Sequence, residues 1–299
     1  MGHHHHHHHE HHHHSAKNLA VAFWLNLSFS IIELIGGLYT NSMAIISDAV
    51  HDVGDAAAIG SAFFFEKLSA KSRDKNFSYG YKRFSTLSAL ITSIILIVGA
   101  LWIVVEAIPR LFNPEQINSV GMLGLAILGI AFNGFAVFKL EGNQNSLNQK
   151  AVRLHLVEDL LGWIAVLVGS IFIYFFNWLI LDPILSLAIA LYISINAFKN
   201  LKSVSGIFLQ GIPENINLKH IEQEILSLEE VTEVHDFHLW SMDGEYNILT
   251  LHAVVDESKT VEELKSIKQM IKEIATKNHI QHVTLEFESS AEDCALEDC

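Results

Sequence analysis

Residues 43–65 read MAIISDAVHDVGDAAAIGSAFFF, an apolar stretch interrupted by Asp48, His51, Asp52 and Asp55. Its length matches the roughly 20 residues that cross a bilayer as a helix. A charged side chain at that depth costs about 2.5–3.5 kcal/mol on insertion scales, so this cluster of ionisable groups needs partners to offset it. On a helix, His51 and Asp55 stand at i and i+4 on one face, with Asp48 a turn earlier on the same side. Residues 154–176 repeat the arrangement with His155 and Asp159, and Glu158 lies beside them. Two such helices face to face offer two imidazoles and two carboxylates, a donor set suited to tetrahedral Zn²⁺. Ion pairing within each helix is the plain alternative. It leaves Asp48 and Asp52 as an acidic excess that only a cation or protons would offset. Protons and metal compete for the same four ligands, because His must be neutral and Asp ionised to coordinate. A site that releases metal on protonation is half of an antiporter.

Outward from this stretch, hydropathy and helix breakers predict six spans, at about 18–39, 43–65, 84–107, 117–138, 154–176 and 179–198. Residues 84–105, 116–138 and 160–181 contain no Asp, Glu, Lys or Arg. Lys67, Lys71, Arg73, Lys75, Lys82 and Arg83 join the second span to the third; Lys139, Lys150 and Arg153 join the fourth to the fifth; Lys199 and Lys202 follow the sixth. All fall on one side, so the excess of Lys and Arg predicts a multi-pass protein of the plasma (inner) membrane with both termini cytoplasmic. The formal net charge of −14 falls entirely on residues 203–299. Such a division excludes a single globular domain and a disordered chain, and the acidic balance excludes a nucleic-acid binder.

Past Lys202 the hydrophobic period changes. Residues 217–228 have helical spacing, Val231–Trp240 and Asn247–Val255 alternate as strands around a turn at Asp243-Gly244, an amphipathic helix covers about 260–277, and His282–Glu288 reads as a last strand. The fold class expected is a six-helix α-helical transmembrane domain followed by a small cytoplasmic α+β domain of α-β-β-α-β order, like a metallochaperone. The domains expected are residues 1–16, a His-rich cytoplasmic start; 17–202, the transport domain; and 203–299, a metal-sensing domain with a Cys-containing tail. The His-rich start reads either as an affinity tag or as a native segment, and its imidazoles bind divalent metal loosely in both cases. It lacks the basic, then apolar, pattern of a secretory leader. Cys294 and Cys299 are the only cysteines. They make a poor disulfide framework and point to a reducing compartment.

Other polar residues in the spans have plainer roles. Glu33 is expected to pair with backbone or a neighbouring helix, with a proton carrier or an entrance ligand as its alternatives. Glu106 is expected to pair with Arg110, and Asn26 and Asn133 to make interhelical hydrogen bonds.

Several of these residues together resemble the cation diffusion facilitators, in particular their bacterial zinc and cadmium resistance members. They are Ser42-Met43-Ala44, Ser47-Asp48-Ala49, His51 with Asp55, Tyr79-Gly80-Tyr81, His155 with Asp159, and the stretch Val234–Trp240 (VHDFHLW). The resemblance runs from residue 18 to about 290. It implies a homodimer in the lipid bilayer that exports metal in exchange for protons by alternating access. Carried over residue by residue, the transport site is His51, Asp55, His155 and Asp159. Histidine at the first position resembles the zinc-selective members, since manganese and iron members carry Asp there. The resemblance also implies a cytoplasmic ligand set of His235, His252 and Glu286, with Cys294 and Cys299 similar to a C-terminal thiol pair, although CxxxxC replaces the CxxC of other members. Glu288 reads as a solvated strand end, with a substitute ligand for this set as its alternative. Some members hold a second metal in the loop after the second span; here only Asp74 remains, with no His from 52 to 154, and that site is not expected.

The expected activity is that of a secondary-active transporter and not of an enzyme: a Zn²⁺/H⁺ antiporter, with Cd²⁺ or Co²⁺ as further substrates and Zn²⁺ also a regulatory ligand. A membrane metalloenzyme would want an open coordination position and often an HExxH motif, which is absent. A metal sensor without transport is the other alternative, and flux alone distinguishes it.

Overall fold

The computed structural model describes residues 11–140 and 147–289. They form two compact units, one of residues 11–64 with Ile91–Leu201 and the other of Phe65–Leu90 with residues 202–289.

Six long helices run through the first part of the chain: α1 (His11–Thr40), α2 (Met43–Ser69), α3 (Arg83–Phe112), α4 (Ser119–Leu140), α5 (Leu147–Phe176) and α6 (Leu181–Phe208). Each covers one of the apolar stretches to within two residues at its start. α5 begins before its stretch and α6 continues beyond, because residues such as Gln149, Lys150 and Arg153 are good helix formers whatever their polarity. Among the described residues, α3, Leu156–Phe176 of α5, and α6 are long and apolar enough to cross a membrane, while the apolar part of α4, Ser119–Phe135, is shorter. The acids that mark α2 dilute its hydropathy.

Two apolar clusters hold the first unit together. One gathers Phe29, Ile45, Met122, Trp163 and Val166; the other gathers Met43, Ile46, Ile103 and Ile193. Phe29 stacks on Phe132 with ring centroids 4.4 Å apart and meets the edge of the Trp163 ring. α4 can approach that indole only through Gly129, where an added Cβ would lie 2.2 Å from a ring atom. Any larger residue must move a buried tryptophan.

Where α1 turns into α2, Asn41 adopts a left-handed conformation with φ of 56°, a setting asparagine tolerates better than most residues. Arg110 donates to the Asn41 carbonyl at 3.1 Å and pairs with Glu115 at 3.2 Å. The partner expected for Arg110 was Glu106. Instead the turn after α3 returns Glu115 to the guanidinium, and Glu106 is left exposed. α2 has no acid in its own first turn; Asp182 of α6 supplies one. Its carboxylate accepts from the Ser42 hydroxyl and from the Met43 and Ala44 amides at 2.7 and 3.2 Å, and the side chain is fully buried. A carboxylate at a helix N-terminus satisfies free amides and complements the helix dipole, and in an apolar setting it matters more because no water can substitute.

In the second unit the order is α7 (Leu218–Leu226), β1 (Val231–Ser241), β2 (Asn247–Val255), α8 (Val261–Lys277) and β3 (His282–Ser289). Elements and bounds lie within a residue or two of those read from the sequence. The sheet runs β1-β2-β3, antiparallel between β1 and β2 and parallel between β2 and β3. A parallel pair cannot be closed by a tight turn, and α8 is the crossover. Ile221 and Ile225 of α7 and Ile267, Ile271 and Ala275 of α8 pack with Leu249, Leu251 and Ala253 in one core. Thr260 and Glu263 form a capping box that starts α8. The turn after β1 needs a positive φ, which Gly244 supplies at 94°.

The segment between α2 and α3 is tied by Asp74. Its carboxylate accepts from the Tyr81 hydroxyl at 2.7 Å and from the Asn76 and Phe77 amides. Those bonds, the one from Tyr81 foremost, hold its acid strength above that of an ordinary aspartate, so its pKa is lowered. A lowered value makes the tie complete above about pH 4 and weakens it as the pH falls through the folded-state value. Asp74→Ala should therefore speed hydrogen exchange at the Asn76 and Phe77 amides at neutral pH, as acid does in the unsubstituted chain. Unchanged exchange would mean that the aromatic contacts of Tyr81 hold the loop alone.

Candidate metal centres

Helical spacing places His51 and Asp55 together on α2, with Nε2 and Oδ2 3.6 Å apart, both partly buried. Asp48, one turn earlier, points at α5: a Cβ on Gly162 would lie 3.7 Å from its Oδ1. Asp159 sits on α5 about one turn before Gly162, partly buried and within electrostatic reach of Asp48. His155 lies on the same helix, one turn before Asp159, and its side chain is outside the described residues. The two helices thus face each other at the level where both carry aspartate. Asp52, on the same arc of α2, is buried with Asp48. Glu33 reaches this region from α1; both of its oxygens are enclosed, and its carboxyl meets that of Asp52 on the neighbouring helix α2. Asn133 is buried with its amide nitrogen unmatched rather than bonded across helices.

The second centre lies on the sheet. Register aligns His235, His252 and Glu286 in one row across β1, β2 and β3. The acid that closes on the imidazoles, however, is Glu288. Its carboxylate lies 3.1 Å from His235 Nε2 and 2.7 Å from His252 Nδ1. Glu286 is 3.5 Å from His252 Nε2 with its side chain 69% exposed, against 12% for Glu288. Residues two apart on a strand share a face, and side chains lean along the strand, so a diagonal neighbour can reach where the direct one stays in solvent.

Asp236 is a further member that spacing did not reveal. A bulge between His235 and His238 puts it in the left-handed region, φ 50°, and aims its carboxylate at His238 Nε2, 2.8 Å away, and at His252 Nε2, 3.5 Å away. Alternation along a strand cannot foresee a bulge, which changes which side chains share a face.

His235 tests whether this set suits a metal. Both of its ring nitrogens are buried, and neither makes a hydrogen bond even with Glu288 adjacent. Two imidazoles and a carboxylate converge with their ligand atoms within 4.8 Å of one another, the one group of three or more such side chains among the described residues. This donor set fits Zn²⁺ with a fourth position left for another ligand. Cys294 and Cys299 fall outside the described residues, as does most of the His-rich start. Asp74 is committed to its loop.

The chain matches the model of the cation efflux transmembrane domain over residues 19–209 and that of the cation efflux protein cytoplasmic domain over residues 213–290. It is 34% identical over 278 residues to the cadmium, cobalt and zinc/H(+)-K(+) antiporter of Bacillus subtilis, covering 92% of this chain and 89% of that one. It is 35% identical over 275 residues to the metal cation efflux system protein CzcD of Cupriavidus metallidurans, covering 91% and 86%. To the zinc transporter ZitB of Pectobacterium atrosepticum it is 32% identical over 278 residues, covering 92% and 86%. With a transmembrane and a cytoplasmic domain both matched in order and nearly the whole length shared, the chain belongs to the cation efflux family, the cation diffusion facilitators, which are membrane transporters and not enzymes.

Proposed function

We propose that this protein exports Zn²⁺ in exchange for protons, with six membrane spans, both termini in the cytoplasm, and a second copy of the chain as its partner in a homodimer. The observation that supports the reading is the approach of α2 to α5, with Asp48 of one helix 3.7 Å from where a Cβ on Gly162 of the other would lie, and His51 paired with Asp55 further along α2. Asp159 and His155 complete a tetrahedral His₂Asp₂ set. Such a set favours Zn²⁺ over harder metals, and Cd²⁺ and Co²⁺ are the next candidates because the same donors accept them. Names of relatives support this choice of cargo.

Proton coupling follows from the ligands themselves. Metal binds when both imidazoles are neutral and both carboxylates ionised, and protonation of the set expels it. Alternating access exposes the set to each side in turn, so metal leaves where protons enter. The Bacillus subtilis relative is named for potassium as well as protons. On the cytoplasmic domain, His235, His252 and Glu288 hold a regulatory Zn²⁺ that neutralises part of the acidic charge of residues 203–299.

The test is flux into proteoliposomes that carry a zinc-sensitive dye and an imposed pH gradient. Zinc should move in exchange for protons in the unsubstituted protein, and Asp55→Ala and Asp159→Ala should each reduce movement to the rate of empty vesicles. A protein that binds zinc but moves none would be a sensor, and the antiport reading would fall.

A further inference from the structure

The segment that joins α2 to α3 differs in charge from the unit it belongs to. Residues 65–90 carry six Lys or Arg against two acids, whereas residues 203–299 carry the whole formal net charge of −14. Both fall in the second unit. Orientation of the spans accounts for positive charge here, but it asks nothing of where the side chains point. Their placement is specific. A cavity of about 340 Å³ within this unit is walled by Lys71, Arg73, Lys82 and His282, with the hydroxyls of Ser72 and Ser78. No aspartate or glutamate lines it, although acids outnumber bases in the unit as a whole.

The cations are held in position. Lys71 lies over the Tyr81 ring, 4.6 Å from its centre, and Lys82 over the Tyr246 ring at 4.7 Å. His282 meets the Tyr79 ring at right angles, with centroids 5.6 Å apart. Lys71 and Lys82 have acids at 3.8 and 3.7 Å, Asp74 and Asp243, while Arg73 pairs with no acid among the described residues. A guanidinium, two ammonium groups and two hydroxyls suit the oxygens of a phosphate. Ser78, Tyr79 and Gly80 also line a second cavity, of about 380 Å³, whose character is different. Phe77, Phe84, Trp240 and Met242 make it apolar, and Arg83 lines it with its Nε enclosed and donating to nothing. Again no acid is present in the wall. A basic chamber that shares a wall with an apolar one matches an anion carrying a hydrocarbon chain.

Position selects among such anions. The first cavity includes Ser69, the last residue of α2, and the second includes Arg83, the first residue of α3. Both chambers therefore lie where two of the proposed spans end, and basic pockets beside spans on the cytoplasmic side suit the headgroups of anionic lipids. We propose that Lys71, Arg73 and Lys82 bind the phosphate of an anionic phospholipid, whose glycerol and chain lie against Phe84 and Trp240. This inference rests on the six-span placement and adds a lipid ligand to the segment that ties the helix bearing His51 and Asp55 to α3.

The full-length chain in a neutral detergent would be titrated with short-chain phosphatidylglycerol and, separately, with phosphatidylcholine of the same chains, bound lipid being counted by native mass spectrometry. Phosphatidylglycerol should bind in preference. Arg73→Gln should weaken it about fivefold, the effect of one basic residue near an anionic lipid, and Lys71→Gln added to Arg73→Gln should weaken it further. Lys67→Gln with Lys75→Gln removes the same charge from residues that do not line the cavity and should leave binding unchanged. Equal binding of the two lipids would overturn the proposal. Equal losses from the two double variants would overturn it as well, since diffuse attraction to a basic segment would then suffice. Thermal stabilisation by inorganic phosphate that depends on Arg73, with none from phosphatidylglycerol, would assign the cavity to a free anion instead. Binding is read without flux, so a chain that moves no zinc yet holds phosphatidylglycerol through Arg73 would lose the transport reading and keep this one.

Discussion

Replacing Asp182 by alanine should lower the unfolding temperature of the detergent-solubilised protein sharply and remove zinc flux with it. The substitution strands the Ser42 hydroxyl and the Met43 and Ala44 amides. Each buried donor left unpaired costs about 1–3 kcal/mol, so the total is about 3 kcal/mol or more, a large part of the stability of an ordinary domain. The damage is directed, because those donors form the start of α2, the helix on which His51 and Asp55 are spaced. Asp182→Asn keeps an acceptor oxygen and should lose less. An alanine variant that melts with the unsubstituted protein would mean that α2 is anchored by its apolar contacts, such as Ile46 with the Ile103 and Ile193 cluster, and not by the carboxylate.

Glu288→Gln should weaken zinc binding by the cytoplasmic domain at least as much as the roughly 10–100-fold that follows loss of a mere supporting partner at a metal site. Glu288 lies against both His235 and His252, so its removal takes a ligand from the cluster. Glu286→Gln should matter far less, since that side chain is mostly in solvent. Titration of the chain carrying Asp55→Ala, with the histidines of residues 3–14 replaced by alanine, silences both the membrane site and the His-rich start and isolates the cytoplasmic one. The reverse order of effects would return Glu286 to the ligand set.

The comparison of Glu286 with Glu288 shows how far sequence reading extends. Alternation places both on one face of β3, and pairing register puts Glu286 level with His252. Which of the two bends inward depends on side-chain direction and on the bulge at Asp236, and neither leaves a periodic trace. Helices and strands were legible because burial imposes periods of 3.6 and 2 on the residues themselves. The pairing of His51 with Asp55 was legible for the same reason, being local. Asp182 was not, since the groups it holds lie 140 residues away or nearly so and nothing in Leu181-Asp182-Pro183 names them. Likewise, Arg110 has one acid within a helical turn at Glu106, but the turn beyond Pro114 decides for Glu115.

The parallel pairing of β2 with β3 has a consequence for the order in which the protein comes into being. His235 and His252 sit on the first two strands, which a tight turn joins. Glu288 arrives only after α8 has formed and carried the chain back across the sheet. A chain growing on the ribosome therefore holds two imidazoles for a time without the acid that completes their set. On the proposed reading, zinc met at that stage would find a weak, open pair, and firm capture would wait until the last strand docks. If the set holds zinc as proposed, metal loading of this domain would double as a report that its folding is finished.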